Sequence, residues 1–273
     1  PLALVGQGVE LGGAQKELIE FLEKSDIPAA RTLLGLSALP TGHPLDTGML
    51  GMHGNYGPNI LTNECDVLIA IGMRFDDRVT GNLATYAKQA KVIHFEIDPA
   101  EVDKNVKTDV AVLGDVKESL AALLPLVEAK SHEAWHNEFK EKYKIELESV
   151  INDELNPKGE GISMGETIEM INKHSNGDAI MVSDVGQHQM FTCRYSKFNQ
   201  SKSNITSGGL GTMGFALPAA IGAKMGQPDR EVVAIIGDGG FQMTIQELGT
   251  IFQTRVPVKI VVLNNEFLGM VRQ

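Results

Sequence analysis

Two parallel-sheet α/β domains are predicted for this chain from three observations. Strand-sized apolar runs alternate with helix-length amphipathic stretches from one end to the other, as in sheets joined by crossover helices. Glycines gather just past several of those runs, where a doubly wound sheet turns from strand to helix. A charged stretch over residues 131–156 divides the pattern in two. The expected class is therefore α/β with two doubly wound parallel-sheet domains, the first of them Rossmann-like.

The elements follow in order. Leu2–Val5 reads as a strand and leads through Gly6, Gly8 and Gly12–Gly13 into a helix over Ala14–Lys24, with Leu18, Ile19, Phe21 and Leu22 on one side. Ile27–Leu34 is the next strand. The glycine-rich stretch Gly35–Gly57 is too long for a plain connection and is expected to be functional or mobile. Val67–Ile71, Val92–Ile97 and Val110–Leu113 read as strands, and Lys117–Lys130 as a helix that closes the domain. Ser131–Asn156 reads as a solvated surface helix between domains, broken by Asn156-Pro157-Lys158-Gly159. Beyond it the rhythm resumes. Met164–His174 is helical, Ala179–Val182 a strand, Met213–Met225 a small-residue helix, Glu231–Ile236 a strand, Thr244–Thr254 a helix and Val258–Leu263 a strand. The expected boundaries are 1–130 for the first domain, 131–158 for a helical linker and 159–273 for the second. Because the chain opens on Pro1 and stops soon after a strand, it reads as a piece of something longer.

Composition narrows the function classes. At 273 residues the chain can bury two ordinary cores, and 42% hydrophobic with 22% charged residues is a folded profile. A formal charge of −11 argues against nucleic acid and against a polybasic membrane patch. No apolar run approaches the roughly 20 residues of a spanning helix. Cys65 and Cys193 stand far apart without metal-ligand spacing, so both read as buried thiols in a reducing compartment, expected to be the cytoplasm.

The strongest chemical signal is Gly237-Asp238-Gly239-Gly240 at the end of one strand, followed at the end of the next by Asn264-Asn265. One helix separates the two strands, so both tips emerge side by side at the carboxyl edge of a parallel sheet, where open α/β sheets bind ligands. Asp238 offers a carboxylate and Asn265 an amide oxygen. These are hard ligands suited to Mg²⁺, which takes its remaining ligands from diphosphate and water. Gly239 and Gly240 let backbone amides approach phosphates, and the helix expected near Thr244 points its positive end the same way. A lone Gly-Asp-Gly would read as a tight turn. Joined to Asn-Asn across one helix–strand unit, it is the thiamine-diphosphate fingerprint.

Around that fingerprint the chain resembles the acetohydroxyacid (acetolactate) synthase catalytic subunits. The resemblance rests on Asp184-Val-Gly-Gln-His-Gln-Met190, Thr206-Ser-Gly-Gly-Leu-Gly-Thr-Met-Gly214, Phe241-Gln-Met-Thr-Ile-Gln-Glu247 and Leu268-Gly-Met-Val-Arg-Gln273. In the first half it rests on Gly48-Met-Leu-Gly-Met-His-Gly54, Arg74-Phe-Asp-Asp-Arg-Val-Thr-Gly81 and Ile97-Asp-Pro-Ala-Glu101. It implies a central FAD-binding-type domain and a thiamine-diphosphate-binding domain. Residues of the diphosphate and cofactor pocket would be Gly186, Gln187, His188, Gly211 and Met213, then Gly237, Asp238, Gly239 and Gly240. Asn265, Phe267, Leu268, Gly269 and Met270 would complete it. Phe267 would add its backbone carbonyl to Asp238 and Asn265 around Mg²⁺. Taken alone, Met213 reads as core packing; the resemblance makes it the bulky side chain that holds the cofactor bent.

The resemblance also implies a structural FAD. Gly6 and Gly8 lack the spacing of a dinucleotide fingerprint, so residues alone leave that open. Matching positions are Thr32, Met52, His53, Gly72, Arg74, Asp76, Arg78 and Val79, with Glu96, Asp115 and Val116, joined by Gln189, Met190 and Gly208 from the second half. Arg78 reads either as a surface ion-pair partner or, by the resemblance, as the guanidinium facing a keto-acid carboxylate; Met52 and Met243 would join it at the substrate. The implied activity is transfer of an acetaldehyde unit from pyruvate to a second 2-keto acid, pyruvate or 2-ketobutyrate, in branched-chain amino-acid biosynthesis. The activating glutamate would lie on another domain of a partner subunit, leaving this piece inactive by itself. Expected partners are 2-keto acids, a homodimer or tetramer of the full-length enzyme, and a regulatory small subunit. Rival readings are another thiamine-diphosphate carboligase or decarboxylase, such as a glyoxylate carboligase, and a noncatalytic nucleotide-binding module.

Overall fold

The computed structural model describes residues 1–272. They form two units, Pro1–Val150 and a second beginning at Ile151. In the first unit the elements are β1 (Leu2–Val5), α1 (Gly8–Leu11), α2 (Gln15–Ser25), β2 (Ala29–Arg31), β3 (Asp46–Met49), α3 (Tyr56–Leu61), β4 (Val67–Ile71), α4 (Asp77–Thr80), β5 (Lys91–Glu96), β6 (Val110–Leu113), α5 (Val116–Leu123) and α6 (Glu133–Glu146). Six strands form one parallel sheet in the order β3-β2-β1-β4-β5-β6. Its two faces follow from strand alternation. Ala3, Val5, Ala29, Ile69, Ile71 and Phe95 pack on Leu18, Phe21 and Leu22 of α2 and Leu120 of α5. Leu2, Leu4, Ala30, Leu68, Ala70 and Val92 face the other way, onto Leu61 and Phe139. Each fully buried leucine contributes about 1.5–3 kcal/mol.

Two expectations change here. The stretch 35–57 is not an unstructured loop, because it contains β3. The Arg31 guanidinium pairs with Asp46 at 2.8 Å and donates to the Leu36 carbonyl at 2.7 Å, both charged side chains being buried. The helix expected to link the domains docks on the first unit. In α6, Trp135 Nε1 donates to the Pro1 carbonyl at 2.7 Å, His136 Nε2 lies 3.0 Å from Asp26 Oδ1, and Phe139 is buried.

The second unit contains α7 (Asn152–Leu155), α8 (Met164–Ser175), β7 (Ile180–Ser183), α9 (Gln187–Tyr195), β8 (Asn204–Thr206), α10 (Ala216–Gly226), β9 (Val232–Gly237), α11 (Asp238–Met243), α12 (Glu247–Thr254), β10 (Lys259–Leu263) and α13 (Gly269–Arg272). Four parallel strands run in the order β10-β9-β7-β8. A Ser163–Glu166 capping box starts α8. Ile180, Val182, Val232, Ala234 and Ile236 bury against Ala216, Leu217 and Ala220 of α10. Two helix starts differ from expectation. Gly214, at φ +81°, delays α10 to Ala216, so Met213 stands in the preceding turn. The helix expected over Thr244–Thr254 is α12, which begins at Glu247, and the short α11 precedes it, so Asp238, Gly239 and Gly240 form the first turn of an additional helix.

Candidate functional site

In the second unit the parallel pairing of β9 and β10 aligns Gly237 with Leu263. Asp238 is one residue past that register on β9, and Asn265 two residues past it on β10. Asp238 opens α11, where the helix end favours negative charge. Asn265 Nδ2 donates to Gln187 Oε1 at 3.0 Å, which turns its Oδ1 away from that contact; Oδ1 takes only a long bond of 3.4 Å from Phe267 N. Carboxylate, amide oxygen and a nearby backbone carbonyl make a hard donor set that fits Mg²⁺. No group of three or more His, Cys, Asp and Glu able to hold a metal occurs among the described residues. An ion here would rely on few protein ligands, as Mg²⁺ at a diphosphate does.

Around these tips the glycines are set by contact. A Cβ on Gly237 would stand 2.8 Å from the His188 ring, and one on Gly269 2.2 Å from Gln187 Oε1. A Cβ on Gly239 would meet Leu268 at 2.8 Å and Met213 Cε at 3.5 Å. The structure thus gathers Gln187, His188, Met213, Gly237, Gly239, Leu268 and Gly269, all expected cofactor residues. His188 is buried, and its Nε2 accepts the Gly237 N–H at 3.3 Å. Burial holds its pKa below the usual imidazole range, against the opposing pull of the Asp184 and Asp238 charges. The neutral ring suits its acceptor role. Met243 is exposed at the end of α11, with its Cβ beside Gly214. Gly208 and Gly211 lie in the turn after β8, Phe267 is partly exposed past β10, and Met270 sits in α13.

Asp184 carries more of this site than its sequence suggested. It is fully buried one residue past β7, and its oxygens accept Gly214 N–H at 2.9 Å and Ala216 N–H at 2.9 Å. The only signal for it was its place at a strand tip in the quoted Asp184–Met190 string. The buried amide of Gln189 donates to Thr206 Oγ1 at 2.7 Å, and Met190 beside it is half-buried.

In the first unit the expected flavin positions fall along the carboxyl ends of the strands. Thr32 follows β2, Met52 and His53 follow β3, and Gly72, Arg74, Asp76 and Arg78 follow β4. Glu96 ends β5 and Asp115 follows β6. The sheet order reverses between β1 and β4, the place where dinucleotides bind in this topology. There a Cβ on Gly6 would stand 2.3 Å from the Gly72 carbonyl oxygen, and Gly8 N–H donates to that oxygen at 2.8 Å. Only glycine fits, and backbone is left at the crevice. The His53 Nε2 is buried with no hydrogen-bond partner among the described residues, an open polar atom on the same edge. These features fit a dinucleotide.

Several acidic side chains are already engaged. Asp76 accepts Arg78 N–H at 2.9 Å, Glu96 accepts Ile97 N–H at 2.8 Å, and Asp115 caps α5. Thr32 Oγ1 accepts Gly35 N–H at 3.2 Å. Val79, partly buried, packs against one core cluster and Val116 lies in the other. Arg74 and Arg78 make loose pairs, 3.5 Å to Asp76 and 3.6 Å to Asp77, with both guanidinium groups exposed. Met52 N–H donates to the Arg78 carbonyl at 2.8 Å, which joins two expected substrate residues.

Comparison with known proteins agrees with this geometry. Residues 1–123 match the model of the thiamine pyrophosphate enzyme central domain, and residues 184–273 that of the thiamine pyrophosphate enzyme C-terminal TPP binding domain. The whole chain is 45% identical to the acetolactate synthase large subunit of Lactococcus lactis, covering 47% of it. It is 42% identical over its full length to the Escherichia coli acetolactate synthase isozyme 3 large subunit, covering 48%. For the Nicotiana tabacum chloroplastic acetolactate synthase 2 the identity is 43%, covering 41% of that protein. The chain spans about half the length of the curated relatives it matches. No helix among the described residues is long and apolar enough to cross a membrane. With both domain models matched and both sheets observed, the chain belongs to the thiamine pyrophosphate enzymes, of which it carries the central and C-terminal domains.

Proposed function

We propose that this chain is part of an acetolactate synthase large subunit, which decarboxylates pyruvate and joins the remaining two-carbon unit to a second 2-keto acid in branched-chain amino-acid biosynthesis. The observation that carries the reading is the convergence of Asp238, Asn265, Gln187, His188 and Met213 on neighbouring strand tips of one parallel sheet. Full-length identity of 41–45% to proteins bearing that name supports it.

Bound thiamine diphosphate supplies the electron sink for loss of CO₂. Asp238, Asn265 and the Phe267 carbonyl would hold Mg²⁺ against its diphosphate. The amides of Gly239 and Gly240, in the first turn of α11, would face the phosphate oxygens. Met213, above Gly239 beside Leu268, would press the cofactor into its bent form. FAD would lie along the strand tips of the first unit, where the backbone at Gly6, Gly8 and Gly72 is bare. Arg78 and Met52 would meet a keto acid, the guanidinium matching its carboxylate. The name large subunit, borne by the relatives, supports a regulatory small subunit as partner; the full-length enzyme would form a homodimer or tetramer. Two free, buried thiols support a reducing cytoplasmic setting.

The test is acetolactate formation from pyruvate by the full gene product, with thiamine diphosphate and Mg²⁺ added or withheld. Activity that needs both and falls at least about a hundredfold in Asp238→Ala supports the reading. Wild-type activity in that variant, or no acetolactate from any preparation, overturns it.

A further inference from the structure

We infer that Asp184 is a positioning residue for Met213, acting through the turn that carries it; the inference rests on the functional reading above. The Asp184 carboxylate has no exposure to solvent, and its three hydrogen bonds come from backbone N–H groups. Oδ1 accepts from Val185 at 2.8 Å and Gly214 at 2.9 Å, and Oδ2 from Ala216 at 2.9 Å. A buried carboxylate so placed does two things. It fixes the residue directly after Met213, and it sits at the amino end of α10, where negative charge is favoured. The carboxylate also lies against the glycine turn of α11, because a Cβ on Gly240 would stand 2.8 Å from Asp184 Oδ1. One side chain thus ties the tip of β7 to the Met213 turn and to α10, with the glycine turn of α11 packed against it.

Gly214 is held from its other side as well. Thr244 Oγ1 donates to the Gly214 carbonyl at 3.1 Å, so the peptide groups flanking this residue have two separate anchors. At φ +81° Gly214 has the freedom of glycine, and its conformation depends on those anchors. If the turn relaxes, Met213 moves off Gly239. A side chain whose task is to hold the cofactor's shape is sensitive to displacements of an ångström.

Asparagine at position 184 keeps the shape but brings an NH₂ group against at least one of the three N–H donors. The test is a double-mutant cycle of Asp184→Asn with Met213→Ala in the full gene product, reading kcat and KM for pyruvate. The affinity for thiamine diphosphate with Mg²⁺ is read separately, by calorimetry. Asp184→Asn is expected to lower kcat about tenfold or more, with KM and cofactor affinity within about threefold of wild type. The double variant is expected to be no slower than Met213→Ala alone, because both changes remove one function. Effects that multiply, an unchanged kcat, or a cofactor affinity that falls as far as kcat would overturn the role. Should Asp184→Asn fail to fold, Thr244→Val removes the second anchor and is expected to show the same coupling to Met213; independent effects there overturn the role equally. A wild-type protein that forms no acetolactate would sink the functional reading instead, a result distinguishable from an active enzyme whose variants are uncoupled.

Discussion

Burial sets the chemistry of single residues on both sheets. Cys193 is fully buried, and that pushes its thiol up to about 12; Cys65 is pushed up to about 11 by the same cause. Thiolate is the reactive form, so neither cysteine should react with iodoacetamide in the folded chain at pH 8, while both should react once it is unfolded; mass spectrometry counts the adducts. Labelling of the native protein would contradict the packing around them. Gly6 offers a second residue-scale test. A methyl there would lie 2.3 Å from the Gly72 carbonyl oxygen and 2.4 Å from Met73 Cβ. Gly6→Ala is expected to destabilise the chain by about 1–3 kcal/mol in urea, since backbone on both sides must shift. An unchanged midpoint would show that the crevice has room for a methyl group at this position. The glycines of the second unit were visible in sequence as a motif, but their reasons were not. Gly237 makes room for His188, Gly240 for Asp184 and Gly269 for Gln187. Those partners lie about 50 to 80 residues away in the chain, beyond any local pattern.

Among the elements, the buried parallel strands were the most legible. Leu2–Val5 and Val67–Ile71 occur with the expected bounds, because a strand inside a parallel sheet is apolar along its length; Val110–Leu113 also keeps its expected bounds, although as β6 it is the exposed edge strand. Short polar strands left no such trace. Asp46-Thr-Gly-Met49 becomes β3 through the Arg31–Asp46 pair and the Thr47 hydroxyl on the Ala29 carbonyl, and Asn204-Ile-Thr206 becomes β8 beside β7. Helix starts are illegible in the sequence where tertiary contacts override local signals: Asp184 captures the amides near the start of α10, and the glycine-rich segment after β9 forms the first turn of α11. The charged stretch after residue 130 looked like a linker because only Trp135 and Phe139 mark its buried face. Its docking has a testable pH dependence. Burial by itself would raise the Asp26 carboxyl, but the His132 backbone N–H and the His136 side chain outweigh it and leave its pKa lowered. Protons therefore bind Asp26 more weakly in the folded state. The stabilisation is present above about pH 4, the unfolded value, and is lost as pH falls through the lower folded one. Hydrogen exchange of the α6 amides should accelerate over that acid range in wild type, and already be fast at neutral pH in Asp26→Ala. Equal protection in both would remove Asp26 from the docking.

On the scale of the whole molecule, the chain carries two parallel sheets yet spans about half of each relative it matches. The 273-residue chain alone is accordingly expected to form no acetolactate, whereas the full gene product should do so; detectable product from the purified chain would contradict the need for further domains. Exposed apolar side chains on the second unit, Phe252 of α12, Val262 of β10 and Val271 of α13, are consistent with surfaces made to be covered. All of this depends on the two strand tips beyond β9 and β10. The most direct measurement is anomalous diffraction from crystals of the full gene product grown with thiamine diphosphate and Mn²⁺ in place of Mg²⁺. One metal peak is expected at about 2.0–2.3 Å from both an Asp238 carboxylate oxygen and Asn265 Oδ1, beside the diphosphate. A cofactor-loaded structure in which those side chains diverge, with the metal bound elsewhere, would contradict it.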